Sequence, residues 1–296
     1  MPHPSPHSLK ADLLLAFSTL LAAAGWLFSK EALAGLPPLL FMGLRFLAAG
    51  SLLCLAARKP LRQLGWQGIG HGLRVGALFT LAIGLWILGL AHSSHMGEGA
   101  FITSLGVVLV PVYARIFFGD RPPVSTWLAL PVALTGFALL ALQHGFKVEA
   151  GQVLFFASAL VFALLFNVNS RVVRQVPVLA LSALQVIMVG IVLLPVSALT
   201  ERWPEEISTP ILGWLMASAL IATTARFLCQ LYGQSLTTPS HAALILMLEP
   251  MLTAIAAALW YGETMSTQQV AGCSLIFVAL IMSRWTWIRA LLKGAG

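Results

Sequence analysis

The chain reads as an all-α integral membrane protein: ten transmembrane helices arranged as two inverted five-helix repeats, with both termini cytoplasmic. Three observations predict this fold class: an extreme apolar composition, apolar runs that recur along the whole chain, and a self-similarity at a shift of about 140 residues. Of 296 residues, 59% are hydrophobic and only 9% charged, and the mean hydropathy is +0.91. A soluble domain has too little interior to hide that much apolar surface, so lipid is the solvent this sequence is built for.

Each span is a run of about 20 apolar residues, the length a helix needs to cross about 30 Å of hydrocarbon. In the first half these runs lie at roughly 12–30, 37–57, 69–91, 96–118 and 124–143. In the second they lie at roughly 151–172, 177–199, 211–234, 239–261 and 267–288. The longest gaps, near 58–68 and 200–210, are too short for a folded domain. An appended soluble enzyme or nucleic-acid-binding module is thereby excluded, and function is expected inside the bundle.

The net charge of +7 has a topological explanation. With the N-terminus inside, twelve of the 17 Lys and Arg, from Lys10 and Arg58 to Arg289 and Lys293, fall on cytoplasmic segments. Only Lys30, Lys147 and Arg202 fall on the other side, and Arg45 and Arg226 lie within the membrane. A plasma membrane or bacterial inner membrane suits this bias, and no nucleic-acid partner is needed to account for it. Cys54, Cys229 and Cys273 sit in three different spans without CxxC spacing, so they read as packing residues. The start, with Lys10, an apolar run and Ala22-Ala23-Ala24, has the look of a signal peptide, but the repeat argues for keeping it as the first span.

At a shift of about 140 residues, Leu13 to Ser29 align with Val153 to Asn169, Pro37 meets Pro177, Arg45 meets Gln185 and Gly50 meets Gly190. At a shift of about 143, Gly119-Asp120 meets Gly262-Glu263. The halves are residues 1–146 and 147–296. A unit of five spans inverts its second copy, the architecture of many secondary transporters, whose substrate site lies between the halves near the midplane.

The stretch Gly25-Trp26-Leu27-Phe28-Ser29-Lys30, then Gly35-Leu36-Pro37-Pro38 and Leu44-Arg45-Phe46, resembles the opening of an EamA-type member of the drug/metabolite transporter superfamily. Ala100-Phe101-Ile102-Thr103-Ser104-Leu105, running through Val110-Pro111 to Gly119-Asp120-Arg121-Pro122, resembles the end of that family's first repeat. Leu248-Glu249-Pro250 with Gly262-Glu263 resembles the matching element of the second. The resemblance implies two EamA-like five-helix repeats and a central cavity lined mainly by the first, third and fourth helices of each. It also implies transport of amino acids or other metabolites, often outward. Phe166-Asn167-Val168-Asn169 departs from the family pattern of aromatic and small apolar residues.

A charged side chain near the bilayer centre costs at least about 2.5–3.5 kcal/mol, which makes Arg45, Glu98, Arg226 and Glu249 functional candidates. Glu249 precedes Pro250, whose missing N–H bends a helix; Pro250 and Pro111 are the candidate hinges, and a structural ion pair is the alternative role for the acid. Arg226 shares a face with Thr223 and Gln230, a polar stripe suited to a substrate carboxylate or phosphate, or to pairing with Glu249. Arg45 reads as a structural or interfacial position, since the second helix of each repeat is peripheral in the resembled fold. Lys30 and Glu31 are expected to snorkel at the end of the first span.

Glu98 is a candidate cavity or proton-coupling group. His92, His95 and Glu98 have the spacing of a metal set on one helix, but His92-Ser93-Ser94-His95 reads better as a turn, so neither a metal nor a cofactor is expected. Trp26 and Trp86 lie inside spans, for stacking on a ligand or for filling the core, and Asn167 and Ser170 give the sixth span a polar face. Gly68, Gly72, Gly76, Thr80 and Gly84 form a small-residue packing stripe. There is no HExxH, GxSxG or P-loop, so an enzyme is not expected.

The leading expectation is a secondary transporter of small organic metabolites, working by alternating access around Trp26, Trp86, Glu98, Asn167, Arg226 and Glu249, with protons or substrate exchange as the coupling. Its partners are the small-molecule substrate and membrane lipids, as a monomer or a homodimer. The alternative is a lipid or lipid-linked-sugar flippase built on the same helical repeat.

Overall fold

The computed structural model describes residues 9–94, 96–119, 124–141, 149–172, 175–236, 245–246 and 248–283. Every regular element among them is helical: α1 (Leu9–Ala32), α2 (Pro38–Ala56), the short α3 (Arg58–Arg62), α4 (Trp66–Ala91), α5 (Met96–Phe118) and α6 (Val124–Ala141) in the first half. The second half holds α7 (Ala150–Val172), α8 (Val178–Thr200), α9 (Thr209–Ala217), a π-helical stretch (Ser218–Ala225), α10 (Arg226–Ser235), α11 (Glu249–Tyr261) and α12 (Thr267–Ser283).

Among the described residues, six helices are long and apolar enough to cross a membrane: Leu9–Ala32, Pro38–Ala56, Trp66–Ala91, Ala150–Asn169, Val178–Thr200 and Thr209–Gln230. A seventh is added when the two arms of α5, Met96–Val110 and Val112–Phe118, are taken as one span bent by 44°. The bend falls at residue 111, one of the two expected hinge positions; the Pro111 side chain lies outside the described residues. Lipid-solvated spans keep apolar side chains on both faces, and here Leu13, Leu20, Leu81 and Ile191 point outward while Phe41, Leu53, Ile87 and Phe155 fill the interior.

Elements from the two halves alternate in the packing. Helix α2 lies along α8 and α6 along α12; α4 packs on α7 and α8, and α1 on α10 and α11. The α2–α8 contact is reciprocal. A Cβ at Gly50 would stand 2.6 Å from the Cα of Ile187, and one at Gly190 would stand 2.5 Å from the backbone nitrogen of Leu47. Each glycine thus lets the opposite helix in at backbone distance. Gly72 and Gly76 of the small-residue stripe serve the same end against Leu184 and Met188 of α8, whereas Gly68 meets only Leu64.

Helix ends are closed by polar groups from elsewhere in the chain. Pro38 opens α2 at a position where no N–H is needed, and the Glu201 carboxylate at the end of α8 accepts from the Leu39 and Leu40 amides, both at 2.9 Å. Gly119 and Gly262, the pair matched in the sequence repeat, follow α5 and α11 with φ of 70° and 62°. Only glycine reaches this left-handed cap without cost, so the repeated dipeptide repeats a backbone conformation. Ser266 and Gln269 exchange hydrogen bonds as a capping box at the start of α12.

Two spans depart from the regular helices that periodicity predicts. The run expected at 211–234 widens into a π-helix over Ser218–Ala225, where the Thr223 and Thr224 hydroxyls donate to the carbonyls five residues back, of Ser218 and Ala219. Apolar periodicity carries no signal for such a bulge. In the run expected at 239–261, Leu248 is a turn and the helix restarts at Glu249, with Pro250 in its first turn. Proline cannot donate to the preceding turn, and the break leaves Glu249 at a helix N-terminus.

Candidate functional site

A cavity of about 400 Å³ lies among α1, α2, α4, α5, α7, α10 and α11. Its apolar wall is aromatic. Phe79 of α4 sits 5.7 Å from Phe46 of α2 and 6.4 Å from both Phe162 of α7 and Phe227 of α10, ring centre to ring centre, so four helices meet on one side chain. Trp26 and Trp86 also line the cavity; they pack edge to face at 4.7 Å, and Trp26 leans on Phe155 at 5.7 Å.

Into this wall α10, which continues the π-helix, and α11 bring the charges. Arg226 Nη2 and Glu249 Oε2 form an ion pair at 3.2 Å, and the Trp26 indole N–H donates to Glu249 Oε1 at 3.3 Å. The acid is therefore held between a guanidinium from α10 and an indole from α1. Arg226 Nε is buried with no hydrogen-bond partner among the described residues, which leaves a charged donor unspent.

Arg45 of α2 reaches the same cavity, 6% exposed. Its Nε donates to Thr223 Oγ1 at 2.7 Å and its Nη1 to Ser29 Oγ at 2.9 Å, while Nη2 donates to no described residue. Arg45 thus has the structural bonds its sequence position suggests and is also part of the lining. Two guanidinium groups face one carboxylate, so the described lining carries an excess of positive charge beside its aromatic wall. Anions are favoured there, because burial in a low dielectric makes each charge count for more than it does in water.

Of the residues expected at the site, Trp26, Trp86, Thr223, Arg226, Gln230, Glu249 and Pro250 line this cavity. Glu98 does not. It is 4% exposed and accepts from the amides of Gln152 on α7 and Gln269 on α12. Three helices, α5, α7 and α12, begin around it, and their N-terminal dipoles suit an anion there. Asn167 also points away, donating to the carbonyls of Val110 at 2.8 Å and Ala163 at 2.9 Å. The neighbour two places on, Asn169, lines the cavity, and the sixth span reads a polar face without telling which of its polar residues turns inward.

The Ser170 side chain and His95 lie outside the described residues, while His92 caps α4 with Nδ1 at 2.8 Å from the Leu88 carbonyl oxygen. Lys30 and Glu31 are paired, where sequence predicts snorkelling. Lys30 bridges to Glu263 at 2.8 Å and Glu31 accepts from the Trp260 indole at 3.0 Å. The reason is tertiary: the end of α11 comes to rest beside the end of α1.

Comparison with known proteins agrees with this architecture. The model of the EamA-like transporter family matches the chain twice, over residues 9–142 and 149–285. A protein of Archaeoglobus fulgidus named as an uncharacterized transporter is 28% identical over 93% of this chain and 85% of its own length. A protein of Escherichia coli K12 named as the uncharacterized inner membrane transporter YedA is 24% identical over 83% of this chain and 81% of its own. A solved crystal structure overlays with a TM-score of 0.67 at 18% identity, covering 96% of this chain and 99% of that one, which shows a shared fold. With its apolar helices and its family match, the protein is a multi-pass membrane protein. The chain is a membrane transporter and belongs to the EamA-like transporter family.

Proposed function

We propose that the protein is a secondary transporter of amphipathic, carboxylate-bearing metabolites, amino acids and related compounds, moved by alternating access around the Arg226–Glu249–Trp26 cluster. The observation that carries this reading is two guanidinium groups and one carboxylate set into an aromatic cavity of about 400 Å³. A substrate carboxylate fits the unspent donors of Arg226 and Arg45. An ammonium group fits the Glu249 and Trp26 side, and the apolar remainder fits the aromatic wall around Phe79.

The framework for this cycle is ten spans in two inverted repeats with both termini inside. The twofold family match and the reciprocal contacts of Gly50 and Gly190 support it. Coupling through Glu249, by protonation when the arginine is released, or by exchange of one substrate for another, completes the cycle. The outward direction rests on the likeness to the family alone.

The test is counterflow into proteoliposomes with labelled amino acids, amines, nucleosides and organic acids. Saturable exchange of a carboxylate-bearing compound, reduced at least tenfold in Arg226→Ala and Glu249→Gln, is the expected result. Transport that ignores a pH gradient in wild type and in Glu249→Gln alike removes the proton from the scheme. A second reading, lipid flipping, draws on Phe166, an apolar side chain that lines the cavity yet is 56% exposed, so that the cavity opens to the surroundings beside an apolar ring there. Scrambling of labelled lipid in the same vesicles, with no solute exchange, selects it.

A further inference from the structure

Two polar dyads occupy matching places in the halves. Arg45 donates to Ser29, sixteen residues earlier, at 2.9 Å; Gln185 donates through Nε2 to Asn169 Oδ1, again sixteen residues earlier, at 3.0 Å. Ser29 aligns with Asn169, and Arg45 with Gln185, at the shift that also aligns Gly50 with Gly190 and Leu47 with Ile187, the residues of the reciprocal α2–α8 contact. The sequence differences between the dyads are chemically pointed. One half has a small hydroxyl under a cation; the other has two neutral amides.

Their surroundings differ as well. Ser29 is fully buried, its hydroxyl donating to the Gly25 carbonyl while accepting from Arg45. Asn169 is partly exposed and lines the cavity, whereas Gln185 behind it is 6% exposed. In the structure Gln185 holds the Asn169 carboxamide by its oxygen, Nε2 donating to Oδ1. With Oδ1 taken, Nδ2 is the group left with hydrogen-bonding capacity, and it donates to no described residue. An oriented pair of neutral donors on a cavity wall selects an acceptor: a carboxylate, a carbonyl or a hydroxyl.

We propose that Asn169, oriented by Gln185, is a second substrate-binding position of the transport path, a neutral donor that takes an oxygen acceptor of the transported molecule apart from the guanidinium groups. This rests on the transporter reading above. Being uncharged, the position holds an acceptor without trapping an anion, as a path that must also release its cargo requires. Gln185 acts through Asn169 and is a positioning residue.

The experiment is counterflow of labelled L-leucine by the full chain in proteoliposomes, for wild type, Asn169→Leu, Gln185→Leu and the double variant. Asn169→Leu and Gln185→Leu are each expected to raise KM about tenfold with the maximal rate within about twofold, and the double variant to be no worse than either single one. Additive losses, or a fall in maximal rate at unchanged KM, would mean a packing role and overturn the proposal. Asn169→Ser, which keeps a donor, is expected to lose less than Asn169→Leu.

A second measurement does not depend on the substrate. With Cys54, Cys229 and Cys273 replaced by Ala, Asn169→Cys is expected to react with the impermeant anion 2-sulfonatoethyl methanethiosulfonate at least about tenfold faster than Phe17→Cys, a position whose side chain is half exposed on the outer face of α1. Equal rates would place position 169 off the aqueous path and end the proposal. Absence of L-leucine exchange in wild type alongside fast labelling at 169 would count against the amino-acid reading while supporting the position of Asn169 on the path.

Discussion

Glu249 shows how a single acid acquires its role from neighbours that come from far along the chain. Its two oxygens are shared between Arg226, 23 residues away, and Trp26, 223 residues away. Removing either partner changes the acid in a different way. Trp26→Phe keeps the ring against Trp86 and deletes one donor, and is expected to weaken substrate binding about three- to tenfold, read as KM in counterflow. Arg226→Ala strands a carboxylate in an apolar wall, so a loss of exchange should come with a fall in thermal stability in detergent; Arg226→Ala/Glu249→Gln is expected to recover stability without recovering exchange. Recovery of both would make the pair structural only.

At the scale of elements, backbone proximity sets the tolerance. Gly50→Ala and Gly190→Ala each push a methyl group into the partner helix and are expected to cost about 1–3 kcal/mol, seen as a lowered unfolding temperature. Gly70→Ala, which lies inside α4 and meets nothing within 4 Å, is the control expected not to lower it. The π-helix is a second such element. By holding Thr223 where it accepts from Arg45 and donates to Ser218, it ties α2 to the wall that carries Arg226. Thr223→Val keeps the shape and removes both bonds, and weakened exchange with intact folding is the expected outcome, measured by counterflow against the melting curve.

Across the whole molecule, polar closures gather where α1 and α11 finish and α5 begins. Lys30 bridges Glu263 and lies 4.3 Å from the Tyr261 ring centre, the Met96 amide donates to Glu263 at 3.2 Å, and Trp260 donates to Glu31. Glu98 with Gln152 and Gln269 ties the starts of α5, α7 and α12 together. Alternating access requires one end of the bundle to part while the other closes. Cysteines placed at 30 and 263 and joined by a short bismaleimide are therefore expected to stop exchange, with unlinked protein unaffected by the reagent. Glu98→Leu strands two buried amides and is expected to cost about 1–3 kcal/mol for each, visible in the melting curve.

The sequence by itself determined the solvent, the class and the inner polar stripe of this protein. Composition demands lipid, the shift of about 140 residues reveals two copies of one unit, and a charge too costly to leave in hydrocarbon marks Arg226 and Glu249 wherever they fold. Those signals are local or periodic, so one chain suffices to read them. The tertiary structure alone decided which polar residue on a span turns inward: Asn169 in place of Asn167, Arg45 as well as Arg226, and Glu98 turned away from the cavity between two glutamines. A helix presents a new residue every 100° or so, and a π-bulge or a proline break resets that phase by a single position. The facing of each side chain is fixed only when the neighbouring helices pack.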